Sequence, residues 1–168
     1  LIQGTGARTP GAVEMLNMWD QTAMTLTKGP EEPATRDEAK EKIRKGAMMV
    51  TMSLWHPDVI EFIEAKAQAG QLTNFNMSVL ASDDFMEAVK RGGEWKLVYP
   101  DYEAQPEAYK QLWDGNLDKW LDAGGDVVVH DTVDAQALWE KVMRGTYNNN
   151  EPGVQFIDTI NRRNPLYY

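Results

Sequence analysis

Apolar residues recur at helical spacing from Pro10 to about Lys28, at Val13, Leu16, Met18, Trp19, Ala23 and Leu26. That period predicts an amphipathic helix. Thr9 followed by Pro10 reads as an N-cap with proline at the first helical position, and Gly29 with Pro30 stops the run. "PEEPATRDEAKE" (30–41) is polar and proline-broken, and reads as an exposed excursion with a helical turn near Thr35 to Glu41. "AMMVTMSL" (47–54) then has the unbroken apolar character of a buried strand, and "HPDVIEFIEAKA" (56–67) predicts a helix that turns Val59, Ile60, Phe62 and Ile63 inward. The alternation repeats in "FNMSVL" (75–80) and "SDDFMEAVKR" (82–91), where Ser82 and Asp83 are the capping candidates. Beyond it come a strand at "EWKLVY" (94–99), one amphipathic helix over "PEAYKQLWDGNLDKWLDAGG" (106–125) and a strand at "DVVVH" (126–130). A helix over "TVDAQALWEKVMRGTY" (132–147) follows, capped by Thr132, and "GVQFIDTI" (153–160) is a last strand. Strands alternating with helices imply an α/β fold with a mostly parallel sheet.

At 168 residues and 42% apolar content the chain is long enough for one domain with a real core. No apolar run approaches the ~18 to 20 residues of a membrane span, and the first residues lack a signal-peptide pattern. A cytoplasmic protein without a membrane partner is the expectation. A net charge of -9 argues against direct nucleic-acid binding, because backbone binders concentrate Lys and Arg into a dominant patch. Any anion must be held locally. Cysteine is absent, so this chain carries no disulfide, thiolate metal site or thiol chemistry of its own. It begins at Leu1 and ends on "NPLYY", from which we expect a segment of something larger.

Two stretches could face an anion. Lys42, Arg44, Lys45 and Gly46 stand just before the first strand, where a loop presents side chains and backbone N–H groups, and glycine lets the backbone come close. The competing reading is a solvated basic turn neutralised by Glu38 and Glu41. "GTGARTPG" (4–11) leads into a helix N-terminus, which is phosphate-compatible, although it has neither the P-loop nor the dinucleotide-binding spacing. His56 reads as a residue of the helix start or the core, with base chemistry as the alternative; His130, beside Asp131, reads likewise. Asp83 and Asp84 read as helix-start acids and not as metal ligands. The six tryptophans and nine methionines fall mostly on apolar helix faces and read as core before a cofactor box. "DTINRRN" (158–164) is polar after a strand, where α/β folds place ligand contacts.

Four stretches in order carry a resemblance: "GTGARTPGAVEMLNMWDQT", "IRKGAMMVTMSLWHPDVIEFIEAK", "LTNFNMSVLASDDFMEAV" and "EPGVQFIDTINRRNPLYY". Together they resemble the large catalytic subunit of ribonucleotide reductases, most closely the adenosylcobalamin-dependent enzymes. The likeness spans essentially the whole chain and is least specific from about 93 to 145. It implies a single segment, 1–168, of that family's ten-stranded α/β barrel. There a cysteine thiyl radical abstracts the ribose 3' hydrogen and two further cysteines supply electrons. None of them is present here. In the family the Asn-x-Cys-x-Glu motif follows the stretch matching "NRRNPLYY", and a reducing cysteine precedes the loop matching "GTGARTPG". The segment alone is expected to be inactive.

The resemblance also implies two specificity loops. One matches Ile2 to Gly11 and contacts a deoxynucleoside triphosphate effector, with Thr9 and Gly11 as contacts. The other precedes "GAMM" and lies between effector and substrate base, with Arg44 as the contact and Lys42, Ile43, Lys45 and Gly46 shaping the turn. Many members have a short Gly-Gly element before this arginine, whereas "KGPEEPATRDEAKEK" stands here. Implied partners are a ribonucleoside di- or triphosphate substrate, the remainder of the reductase chain and a thioredoxin-type reductant. The helix from Pro10 to Lys28 matches one that lines the subunit interface in dimeric members; monomeric members occur too. A stand-alone nucleotide-binding module without catalysis, and an unrelated α/β enzyme with His56 as base, are the competing readings.

Overall fold

A computed structural model of the chain describes residues 10–26, 46–67 and 70–166. Its elements run α1 (Ala12–Leu26), β1 (Met48–Ser53), α2 (Val59–Glu64), β2 (Phe75–Ala81), α3 (Asp83–Arg91) and β3 (Glu94–Pro100). They continue with α4 (Pro106–Leu112), α5 (Leu117–Asp122), β4 (Val127–Asp134), α6 (Ala135–Asn149), β5 (Gly153–Phe156) and α7 (Ile157–Arg163). The excursion at 30–41 lies outside the described residues.

β1, β2 and β5 form a parallel sheet in the order β1-β2-β5, with Met48 opposite Phe75, Ser53 opposite Leu80, and Ser78 opposite Gly153. The central strand explains itself from its sequence. Phe75, Met77, Val79 and Ala81 are buried at every second position, the period of a strand that turns one face to a core. Against them pack Val59, Phe62 and Ile63 of α2, Phe85 and Ala88 of α3, and Leu138 and Val142 of α6. Each large aliphatic or aromatic side chain so buried contributes about 1.5–3 kcal/mol. The sheet is open, with β1 and β5 at its edges; no barrel closes among the described residues.

The expected mostly parallel arrangement needs one correction, because β3 and β4 pair antiparallel as a separate two-stranded sheet. A helix between two strands does not distinguish a crossover from a hairpin whose turn has grown two helices. α4 and α5 are that turn. The ladder slips between Leu97, opposite Asp131, and Val98, opposite Val129, so His130 is the extra residue of a β-bulge.

Ser82 caps α3 as expected, accepting from Phe85 N at 3.2 Å, and α3 ends at Gly92 with φ 63°, a left-handed cap that favours glycine. Three local expectations fail. The helix expected over 106–125 is two helices broken around Gly115, where Asn116 caps α5 by accepting from Lys119 N at 3.1 Å. Thr132 is no cap: β4 runs on to Asp134, whose carboxylate accepts from Ala137 N at 2.7 Å. The last strand stops at Phe156 and the chain turns into α7, because Asp158 reaches back to accept from Asp83 N at 2.7 Å. α1 begins at Ala12, two residues past the expected proline, and its first N–H is held by Asp58 from across the sheet end.

Candidate functional site

The C-terminal ends of β1, β2 and β5 open onto a cleft of about 1040 Å3. Ser53, Ser82 and Asp158 line its floor, and the β3–β4 hairpin with α5 forms its wall through Trp95, Lys96 and Asp118. This is the edge at which open α/β sheets bind ligands. The "DTINRRN" stretch supplies Asp158 and Asn161 to the cleft, as its position after a strand suggests.

The floor is organised around α3. Arg162 donates to Asp83 at 2.5 Å and to Thr159 Oγ1 at 3.1 Å, so Asp83 is held between its own backbone bond to Asp158 and a guanidinium. Asp83 and Asp84 are first-turn acids of α3, the role their sequence position suggests. Facing them, Asp118 has its carboxyl pushed above the usual carboxylate range, by burial first and then by the charges of Asp158, Asp122 and Asp84. Among the described residues no group of three or more His, Cys, Asp and Glu could hold a metal ion.

Of the residues singled out for the two loops, Thr9, Lys42, Ile43, Arg44 and Lys45 lie outside the described residues. Gly11 and Gly46 are described, and the fold does not bring them together. Gly46 leads into β1 at the N-terminal edge of the parallel sheet. Gly11 lies beyond the other edge, beside Asp58, which follows β1: a Cβ on Gly11 would stand 3.6 Å from Asp58 Oδ2 and 3.5 Å from Glu61 Oε2. α1 spans the distance between them. Its first N–H, on Ala12, donates to Asp58 Oδ2 at 3.0 Å, while Asp20 accepts from Asn74 N at 3.0 Å and Asn74 Nδ2 at 3.1 Å at the opposite edge.

The start of α1 thus differs from the phosphate-ready helix end suggested by "GTGARTPG", because one of its free N–H groups already bonds a carboxylate. Nor are all the tryptophans and methionines core. Val13, Leu16, Asp20 and Ala23 form the inner row of α1, whereas Met15, Met18 and Trp19 stand on the opposite side, with Trp19 53% exposed.

His56 starts the turn into α2, as expected, and is buried enough that its imidazole titrates below its ordinary value; Asp58 opposes that shift and His130 adds to it. Its Nδ1 accepts from Asp58 N at 3.1 Å and its ring meets Tyr99 edge-on, with centroids 5.7 Å apart. The sequence pattern alone does not pair His56 with its neighbours. Asp58 was only two residues away, but nothing in the spacing announces His130, which the hairpin and its bulge deliver.

The family model for the ribonucleotide reductase barrel domain matches residues 1–168. A vitamin B12-dependent ribonucleoside-diphosphate reductase of Mycobacterium tuberculosis is 28% identical over 98% of this chain and 19% of its own length. A putative ribonucleoside-diphosphate reductase large subunit of Frog virus 3 is 29% identical over 96% of this chain and 23% of its own. The ribonucleoside-diphosphate reductase subunit alpha of Chlamydia trachomatis is 25% identical over 97% of this chain and 15% of its own. The chain thus spans less than a quarter of the length of these relatives.

Proposed function

We propose, from the premise that this chain belongs to the ribonucleotide reductase family, that it is one segment of a catalytic barrel whose parent converts ribonucleotides to deoxyribonucleotides by radical chemistry. The observation that carries the reading is the open parallel sheet, with β1 and β5 at its edges among the described residues, in a chain that matches the barrel-domain model from end to end. Neighbouring strands of the parent complete the barrel. The reactive cysteines belong to those neighbours, since this chain has none, so the segment alone does no chemistry. Its part is to carry the two specificity loops.

Thr9 and Gly11 contact a deoxynucleoside triphosphate effector, and Arg44, on a turn shaped by Lys42, Ile43, Lys45 and Gly46, relays it to the substrate base. A guanidinium offers planar donors to a base or phosphate, worth about 1.5–3 kcal/mol per charge-assisted bond. Gly11 and Gly46, the described residues of the two loops, stand toward opposite ends of α1, so we read a composite site as drawn from two copies paired along that helix. The exposed Met15, Met18 and Trp19 row supports such a homodimer. Adenosylcobalamin as the radical source is supported by the naming of the mycobacterial relatives, and a thioredoxin-type reductant returns the electrons. None of the described helices is long and apolar enough to cross a bilayer.

The test is Arg44→Ala in the full-length parent. Base selection under each effector should fall ~10-fold while turnover without effector changes less, the size of a typical coupling term. Equal loss for all four substrates contradicts the relay role.

A further inference from the structure

We propose that Asp58 is a positioning residue that fixes the end of the first specificity loop; this rests on the reading of that loop given above. An aspartate at the N-cap of a helix ordinarily accepts from the second or third N–H of its own helix. Asp58 occupies the N-cap of α2, yet its side chain makes no such bond. The carboxylate is turned instead to α1, where Oδ2 accepts from Ala12 N at 3.0 Å across 46 positions of sequence. Those first N–H groups have no partner within their helix, and a charge-assisted bond at the positive end of the helix dipole is the strongest way to hold one.

The mount beneath Asp58 is itself fixed. Its backbone N–H donates to His56 Nδ1 at 3.1 Å. That bond leaves the proton of the neutral imidazole on Nε2. The ring is held edge-on by Tyr99 of β3 and lies beside Trp55. Asp58 therefore joins the loop, through Ala12 and the adjacent Gly11, to the end of β1 and to the hairpin. Farther along, α1 has an independent tether, the buried Asp20 bonded to Asn74, and the packing of Val13 and Ala23. Removing the Asp58 carboxylate thus leaves α1 docked and frees only its first turn and the loop feeding it.

The experiment compares Asp58→Ala and Asp58→Asn in the full-length parent. It measures kcat/KM for two ribonucleotides with and without each deoxynucleoside triphosphate, turnover without effector, and amide hydrogen exchange at Ala12. D58A should reduce the effector-induced change in substrate preference ~10-fold, speed exchange at Ala12, and keep unstimulated turnover within about twofold. D58N, which retains an acceptor as good at an N-cap, should keep at least half of the change, and it carries the test if D58A does not fold. Full selectivity in D58A, equal losses in both variants, or loss of unstimulated turnover in parallel for every substrate overturns the proposal. A wild-type parent that reduces ribonucleotides without any effector-dependent preference overturns it while leaving the reductase reading intact. A parent that reduces none overturns the reading, and this proposal with it.

Discussion

The three-stranded sheet and the β3–β4 hairpin are held together by different materials. Behind the sheet lie aliphatic side chains and Phe62 and Phe85, buried between elements far apart in sequence. Beside the hairpin, α4 and α5 are joined by rings: Tyr109 stacks on Trp113 at 6.0 Å, and Trp120 meets both edge-on. Burial and a bond to the Tyr99 hydroxyl push the Tyr109 phenol up to about 12. Trp120 is fully buried, donates to Asp126 O at 2.8 Å, and leaves room at Gly125 for no side chain, since a Cβ there would lie 2.1 Å from its indole. The two regions touch through Trp55 against Trp113 and through Trp95 Nε1 donating to Leu54 O at 3.0 Å. The lesson is one of reach: the sheet core is long-range and takes in Leu97 of the hairpin, whereas the lobe formed by α4 and α5 is a more local aromatic cluster, for which opening independent of the sheet is the prediction.

That contrast can be broken from the sheet side first. Phe85→Ala empties a site between Trp95 and Trp139 and should cost ~3–5 kcal/mol, read as a drop in the denaturation midpoint of every probe at once. In the lobe, Trp120→Ala removes a comparable side chain and should cost ~3 kcal/mol, but locally: amides of 101–126 exchange faster while those of β2 keep their protection. Loss of protection in β2 as well would merge the two regions into one cooperative unit.

The smallest effect concerns the cleft between them. Asp118 has its carboxyl raised in the folded state, so its ionisation works against the fold. Its favourable contribution is present below the unfolded value and is lost as pH rises through the folded one. Asp118→Asn should therefore stabilise the lobe near pH 7 by no more than the ~0.2–1 kcal/mol of a solvent-screened pair. The gain should shrink as pH falls through the raised value and wild-type Asp118 takes up its proton. A gain independent of pH contradicts the repulsion.

Most of the elements were legible because they rest on local periods: Val13, Leu16 and Ala23 in α1, the alternating Phe75, Met77 and Val79 in β2, and Ser82 before α3. What escaped was mostly long-range, with one local miss: Asp114-Gly115-Asn116 is a turn signal inside an amphipathic run that otherwise reads through it. The antiparallel partner of β3 is chosen by packing. Asp134 outcompetes Thr132 as a cap because strand pairing with β3 holds Thr132 extended opposite Lys96. Of the candidate site, the polar "DTINRRN" stretch did mark the cleft. The separation of Gly11 from Gly46, and the diversion of Asp58 from its own helix, follow from the direction of α1 across the sheet, which no sequence period records.

The most direct test of the central claim is formation of deoxyribonucleotide by the purified full-length parent, given ribonucleotide, adenosylcobalamin and a dithiol reductant. The account predicts deoxyribonucleotide product that requires the cobalamin and shifts its base preference with the added deoxynucleoside triphosphate. A folded parent that binds these nucleotides yet yields no deoxyribonucleotide contradicts it.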